Sequence, residues 1–177
     1  MTDRDVHIRR GIPADAEQLA EFGARIFKET FGPDNTDEDI AAYLSSTYSV
    51  PQQTAELRSQ DIATLLVEKG GLLIAFAQVR RQSPPDCMTG ESSVELWRFY
   101  VDEPWQGRGV GQLLMDAVHE AARELGGRTL WLSVWERNAS AIAFYRRCGF
   151  RDFGTKDFWV GSDRQTDRVM AAAVRAP

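Results

Sequence analysis

The sequence predicts a mixed α/β (α+β) fold: a central sheet of about seven strands with helices on both faces. Three observations predict it. Periodicity gives the element order βααα-ββ-β-α-β-α-β-β. Two apolar runs divided by Gly70-Gly71 mark an antiparallel hairpin. Between Ser93 and Trp135, a strand, a glycine-rich turn, a helix and another strand mark a parallel pair with a crossover helix.

Each element has its own signal. "DVHIRR", Asp5 to Arg10, alternates as a short strand. Pro13 suits a helix start, and Asp15 and Glu17 complement its positive end. Ala16, Leu19, Ala20, Phe22, Ile26 and Phe27 recur at helical spacing until Gly32-Pro33 stops the helix. Thr36 reads as the cap of a second helix with Asp37, Glu38 and Asp39 in its first turn and Ile40, Tyr43 and Leu44 behind them. A shorter helix covers Pro51 to Ser59. The hairpin "IATLLVEKGGLLIAFAQVRR" follows, then a loop from Ser83 to Ser92 containing Pro84-Pro85 and Gly90. "SVELWRFYV" is a β-branched and aromatic strand; "QLLMDAVHEAARELGG" is a helix closed by glycine. "TLWLSVW" is a strand, "ASAIAFYRRCGF" a short helix ended at Gly149, and two late strands lie near Arg151–Val160 and Arg164–Val174. No repeat or low-complexity linker interrupts the 177 residues, so one domain spanning 1–177 is expected.

Composition narrows the function. The chain is 43% hydrophobic and 27% charged, as soluble globular proteins are. A net charge of -5 argues against nucleic acid or an anionic membrane as partner. No apolar run is long enough to span a bilayer, and the charged opening "MTDRDVHIRR" has no apolar signal region. Cys87 and Cys148 form no CxxC, and there are two histidines, so no metal is expected and a cytoplasmic setting with reduced thiols is. His7 and His119 read as surface residues of a strand and a helix, and Cys148 as a packed thiol.

The segment richest in chemistry is Gln106-Gly-Arg-Gly-Val-Gly111. It lacks the Lys-Ser/Thr ending of a Walker A loop. Its GxGxG spacing, four residues after the strand end, is not the GxGxxG of a dinucleotide turn. General physics leaves an anion site at a helix N-terminus, with Arg108 as a further cation, or a tight corner without a ligand.

The surroundings carry a resemblance. The pattern strand-V-x-x-x-x-Q-G-x-G-x-G-x-L-helix resembles motif A of the GNAT N-acetyltransferase superfamily, and "LWLSVWERNASAIAFYRRCGF" resembles its motif B. Together they cover Glu95 to Phe150. "IFKETFGPDN", "VWERNASAIAFYRRCGF" and "GTKDFWVGSDRQTDRVM" are similar to the PaiA-type polyamine acetyltransferases over nearly the whole chain. The resemblance implies a GNAT fold with a mostly antiparallel sheet, acetyl-CoA as co-substrate, and a small-molecule amine such as spermidine or spermine as acceptor. It also implies a homodimer through late strands. A peptide, a protein or another small amine as acceptor, and an acyl-CoA-binding regulator without catalysis, stay open as alternatives.

The resemblance also implies roles. Gln106, Gly107, Arg108, Gly109, Val110, Gly111 and Gln112 hold the pyrophosphate of acetyl-CoA. The backbone of Phe99, Tyr100 and Val101 holds its pantetheine arm, and Glu136, Arg137 and Asn138 line the same site. Asn138 reads from its position alone as a helix N-cap. Tyr145 is the implied general acid, suited by a phenol pKa of about 10; as a plain residue it reads equally as a core aromatic beside Phe144. Glu95 is a carboxylate in an apolar strand, either a base raised by burial, acting directly or through a water, or a glutamate paired with an arginine. Trp97 stands where the PaiA-like pattern leads one to expect a second acid. The acidic set from Asp34 to Asp39 reads as helix-start chemistry or as an attractor for a polyamine.

Overall fold

The structure, a computed structural model, describes residues 5–90 and 92–176. Strands β1 (Val6–Arg10), β2 (Ile62–Lys69), β3 (Leu72–Arg81), β4 (Ser93–Val101), β5 (Thr129–Trp135), β6 (Arg151–Val160) and β7 (Asp163–Ala173) form one seven-stranded sheet. Its order is β1-β2-β3-β4-β5-β7-β6. Neighbours are antiparallel except β4 and β5, which are parallel and joined by a crossover through α4 (Val110–Glu124). The β2–β3 hairpin turns at Gly70 and Gly71, with φ of 57° and 81°, the positive values a two-residue type I′ turn requires.

Both faces of the sheet are covered. α4 and α5 (Ala139–Arg147) lie on one, where Leu114, Met115, Val118 and Ala122 join Leu65, Val67, Leu130 and Leu132 in the core. α1 (Ala16–Phe31), α2 (Asp37–Thr47) and α3 (Val50–Arg58) lie on the other, where Leu19, Phe22 and Phe27 meet Leu66 and Phe76. Leu65 and Leu66 thus point to opposite faces and both are buried, which is why β2 is an unbroken apolar run. Each such Leu or Phe contributes about 1.5–3 kcal/mol by leaving water.

Caps fix the helix starts. Thr36 accepts from the N–H of Asp39, Ser49 from Gln52, and Asn138 from Ala141. The Asp39 carboxylate also accepts from the N–H and hydroxyl of Ser162, tying α2 to the β6–β7 turn.

Among the described residues the sheet opens where β4 and β5 part. β4 and β5 pair only at Ser93–Thr129, Val94–Leu130 and Glu95–Trp131. Two residues later, at Trp97, β4 carries a bulge. Gln78 of β3 faces Arg98 and Val79 faces Leu96, so Trp97 has no partner across the ladder. A bulge bends its strand and increases its twist, and beyond this one β4 leaves β5 and follows β3 to Val101. Leu96 and Arg98 consequently face opposite sides: Leu96 the α4 core, Arg98 the α3 side.

Arg98 fixes the bend. Its guanidinium is buried, donates to Glu56 of α3 and to the side-chain oxygen Oε1 of Gln78, and lies 3.8 Å from the Trp97 ring centre and 5.1 Å from that of Tyr48. Gln52 and Gln78 also donate to Glu56, which leaves this buried ion pair well supplied with hydrogen bonds.

One sequence reading is corrected. His119 is not a surface residue; it is 1% exposed. It sits four residues after Met115 and three before Ala122, on the buried stripe of α4. Its Nδ1 accepts the N–H of Arg175, and burial pushes its pKa down to about 4. Cys148 is buried as expected, and His7 is exposed.

Two outcomes follow for stability. Glu56→Ala strands a buried guanidinium and should cost roughly 3–5 kcal/mol in urea unfolding; adding Arg98→Met should recover much of that loss, and no recovery would show that the pair is not the cause. Between pH 6.5 and about 4 the unfolded chain protonates His119 while the folded chain does not, so stability falls as pH falls through that window. The stability difference between wild type and His119→Gln should therefore shrink from pH 7 to pH 4; a constant difference would contradict the buried neutral imidazole.

Candidate active site

The opening between β4 and β5 leads into a cavity of about 630 Å³ lined from both faces of the sheet. At its outer end lies the glycine turn. Gly107 and Gly109 have φ of 71° and 87°, and Gly109 is the N-cap of α4 with no side chain to cap it. The first N–H groups of a helix have no partner within it. Those of Val110, Gly111 and Gln112 are therefore free to meet an anion at the positive end of α4. Gln106 turns back: its side-chain amide donates to the Val101 carbonyl at 3.0 Å and fastens the turn to the end of β4.

From the turn inward, the β5-facing edge of β4 from Leu96 to Val101 has no strand partner among the described residues. An unpaired strand edge is a template for an extended ligand. Phe99 packs its ring 6.1 Å from that of Tyr145, which also meets Phe144 at 5.6 Å and Phe150 at 5.7 Å. Burial pushes the Tyr145 phenol above its ordinary value, so it stays protonated at neutral pH.

The far side of the opening, under α1 and α2, differs in character. Phe31, Tyr43, Trp135 and Phe158 form an aromatic wall with ring centres 5.5–6.3 Å apart. Glu95 is 3% exposed and accepts from Arg80 Nε at 2.5 Å. Trp97 lies between two guanidiniums, with Arg80 and Arg98 each 3.8 Å from its ring centre.

The cavity wall brings together Glu95, Phe99, Tyr100, Val101, Gln106, Gly107, Gly109, Gly111, Gln112, Asn138 and Tyr145. Four expected residues stand outside it. Val110 is buried in the core and offers the site its N–H. Arg108 is exposed near Trp105, Glu136 is exposed, and Arg137 reaches toward Asp34 at 3.8 Å. Sequence reasoning missed Arg80, Ser133, Lys156 and Asp167 in the wall. Asp167 had a signal: it alternates with Val169 and Ala171, both buried, so it shares their inward face.

An anion-binding helix start, an unpaired strand edge running from it and a buried phenol at the inner end suit a long ligand with an anionic head and a reactive tip. Such a ligand has the shape of an acyl-CoA, and the arrangement fits an acyltransferase. Residues 24–150 match the acetyltransferase (GNAT) family, and the chain belongs to it. It is 28% identical over 160 residues to an uncharacterized N-acetyltransferase of Lactobacillus delbrueckii subsp. lactis, covering 90% of this chain and 92% of that one. It is 31% identical over 125 residues to the spermine/spermidine N(1)-acetyltransferase of Bacillus subtilis, covering 70% and 81%. The fold matches that of a PaiA N-acetyltransferase from Thermoplasma acidophilum in complex with coenzyme A, with a TM-score of 0.76 at 23% identity over 95% and 98% of the two chains. The chain is thus an N-acetyltransferase that uses acetyl-CoA. Among the described residues no group of side chains suits a metal ion, and no helix is long and apolar enough to cross a membrane.

Gly109→Val tests the turn. A side chain at φ 87° strains the backbone by about 1–2 kcal/mol, yet its Cβ meets no neighbour within 4 Å, so the fold should survive. Acetyl-CoA affinity by calorimetry should fall at least tenfold, about 1.4 kcal/mol. An unchanged Kd would reduce the turn to a corner.

Proposed function

We propose that the chain acetylates a primary amine of a polyamine such as spermidine or spermine, by direct attack on acetyl-CoA in a ternary complex. The observation that carries this reading is the two-sided cavity. A buried phenol stands on the α5 side of the sheet, and an aromatic wall with two carboxylates, Glu95 and Asp167, stands on the other. Aromatic faces and carboxylates favour an ammonium ion. The similarity to the Bacillus subtilis enzyme supports a polyamine.

The N–H groups from Gly107 to Gly111 hold the pyrophosphate, and the edge of β4 from Phe99 to Val101 receives the pantetheine arm. Asn138 adds a polar contact from the start of α5. Attack forms the C–N bond and breaks the C–S bond. Tyr145 protonates the departing thiolate. The amine proton goes to the cavity wall, where the family pattern marks Glu95, directly or through an ordered water. Exposed Phe153 and Trp159 on the edge strand β6 support a homodimer, and the unpaired Cys87 and Cys148 support a cytoplasmic setting.

A second reading has its own observation. Trp97 occupies the place of an expected acid, and its two neighbouring arginines are already paired with Glu95 and Glu56. The amine side thus has one carboxylate fewer for a multiply charged amine, which favours a singly charged acceptor such as a peptide N-terminus. Thiol release from acetyl-CoA with spermidine, a peptide and an aminoglycoside decides: highest kcat/KM with spermidine supports the polyamine, and a preference for the peptide overturns it. Tyr145→Phe should lower kcat by about 10²–10⁴ with acetyl-CoA affinity kept. Surviving turnover would remove Tyr145 from the acid role.

A further inference from the structure

Two carboxylates line the amine side of the cavity, and their surroundings differ. Glu95 is engaged: Arg80 donates to its Oε2, and Arg80 is itself stacked on Trp97. That oxygen already has a charged donor, so Glu95 has a structural partner before any substrate arrives. Asp167 is 5% exposed, lines the same cavity, and its Oδ1 has no hydrogen-bond partner among the described residues. A buried carboxylate oxygen without a partner is costly unless a ligand completes it.

The topology places Asp167 well. It lies opposite Trp135 of β5 and Lys156 of β6. Ser133, two residues beyond the last β4–β5 pair, reaches its carboxylate. Lys156, Glu136 at the end of β5 and Tyr43 of α2 are the titratable groups that bear on it. Burial outweighs the opposing influence of the nearby Ser133 hydroxyl and the Lys156 charge, and pushes its pKa up to about 6.

We propose that Asp167 is the catalytic base of this enzyme and takes the proton from the substrate ammonium, while Glu95 stays ion-paired with Arg80. The assignment rests on the acetyl-transfer reading above. The ammonium gives one proton to the Asp167 carboxylate. The neutral nitrogen attacks the thioester carbon, the C–N bond forms and the C–S bond breaks. The thiolate takes the phenolic proton of Tyr145, and the surplus proton on the new amide nitrogen returns to the tyrosinate through water. Asp167 then releases its proton to solvent, so each turnover frees one proton. Donor and acceptor stand on opposite sides of the opening and do not compete for one proton.

The test is the pH dependence of kcat/KM for the best amine in the panel. Wild type should rise through an apparent pKa near 6 and then level off. Asp167→Asn should lose about 10²–10⁴ at pH 7. Its remaining rate should climb with unit slope toward the amine's own pKa of about 10, because the variant depends on free amine. Glu95→Gln should keep the limb near pH 6. Thermal unfolding and acetyl-CoA affinity establish that Asp167→Asn is folded. A limb near 6 that survives in Asp167→Asn, or vanishes in Glu95→Gln, overturns the assignment. A readout free of turnover is the ¹³C titration of the Asp167 carboxyl in the wild-type protein. A midpoint near 6 supports the proposal, and one near the ordinary 3.9 overturns it. Absence of turnover by wild type with every amine sinks the acetyl-transfer reading instead, and is told apart because it leaves the carboxyl titration unchanged.

Discussion

Everything in the site depends on where one ladder stops. β4 and β5 share three paired residues, and the bulge at Trp97 then turns β4 away. The opening supplies an unpaired strand edge, a passage between the two helical layers and a meeting point for groups from both faces. The bend is held from below by Arg98, whose guanidinium binds α3 through Glu56 and β3 through Gln78. α3 contributes nothing to the cavity wall, yet it anchors the strand that makes the cavity. A buried ion pair is a weak source of stability, but removing one partner is costly, so α3 and the bend in β4 stand or fall together.

The opening also sorts the proton chemistry. Tyr145 arrives from α5, embedded among Phe99, Phe144 and Phe150, where burial favours the neutral phenol. The carboxylates arrive from the sheet face under α1 and α2. Their environments separate them: one is neutralised by an arginine, the other is buried without a full set of partners. Two like groups with unlike surroundings are a recurrent way for one site to divide its tasks.

Much of this was legible in the sequence, because the signals were local. Glycine pairs, caps and periodicity placed the hairpin, the helix starts at Thr36 and Asn138, and the crossover. The resemblance to the two family motifs implied that the glycine turn and Tyr145 share a site, and both line one cavity. What was not legible came from long-range pairing. Arg80 meets Glu95 across β3 and β4, 15 residues apart, and Arg98 meets Glu56 at a separation of 42. Asp167 reaches the site because β7 inserts between β5 and β6, an order that chain sequence does not announce. His119 was misread because its polarity was weighed above its place on a helical stripe, and α4 and Arg175 bury it together.

The hydrogen bond from Gln106 to the Val101 carbonyl has a metric consequence. It joins the start of the glycine turn to the end of the open strand, so the distance from the proposed anion site to the bare edge of β4 is set by the protein and not by whatever binds. The molecule works as a ruler. A thioester whose arm matches the span places its carbonyl at the gap in the sheet. A truncated thioester without the distal phosphates has no zero mark from which to measure, and its carbonyl has no assigned place.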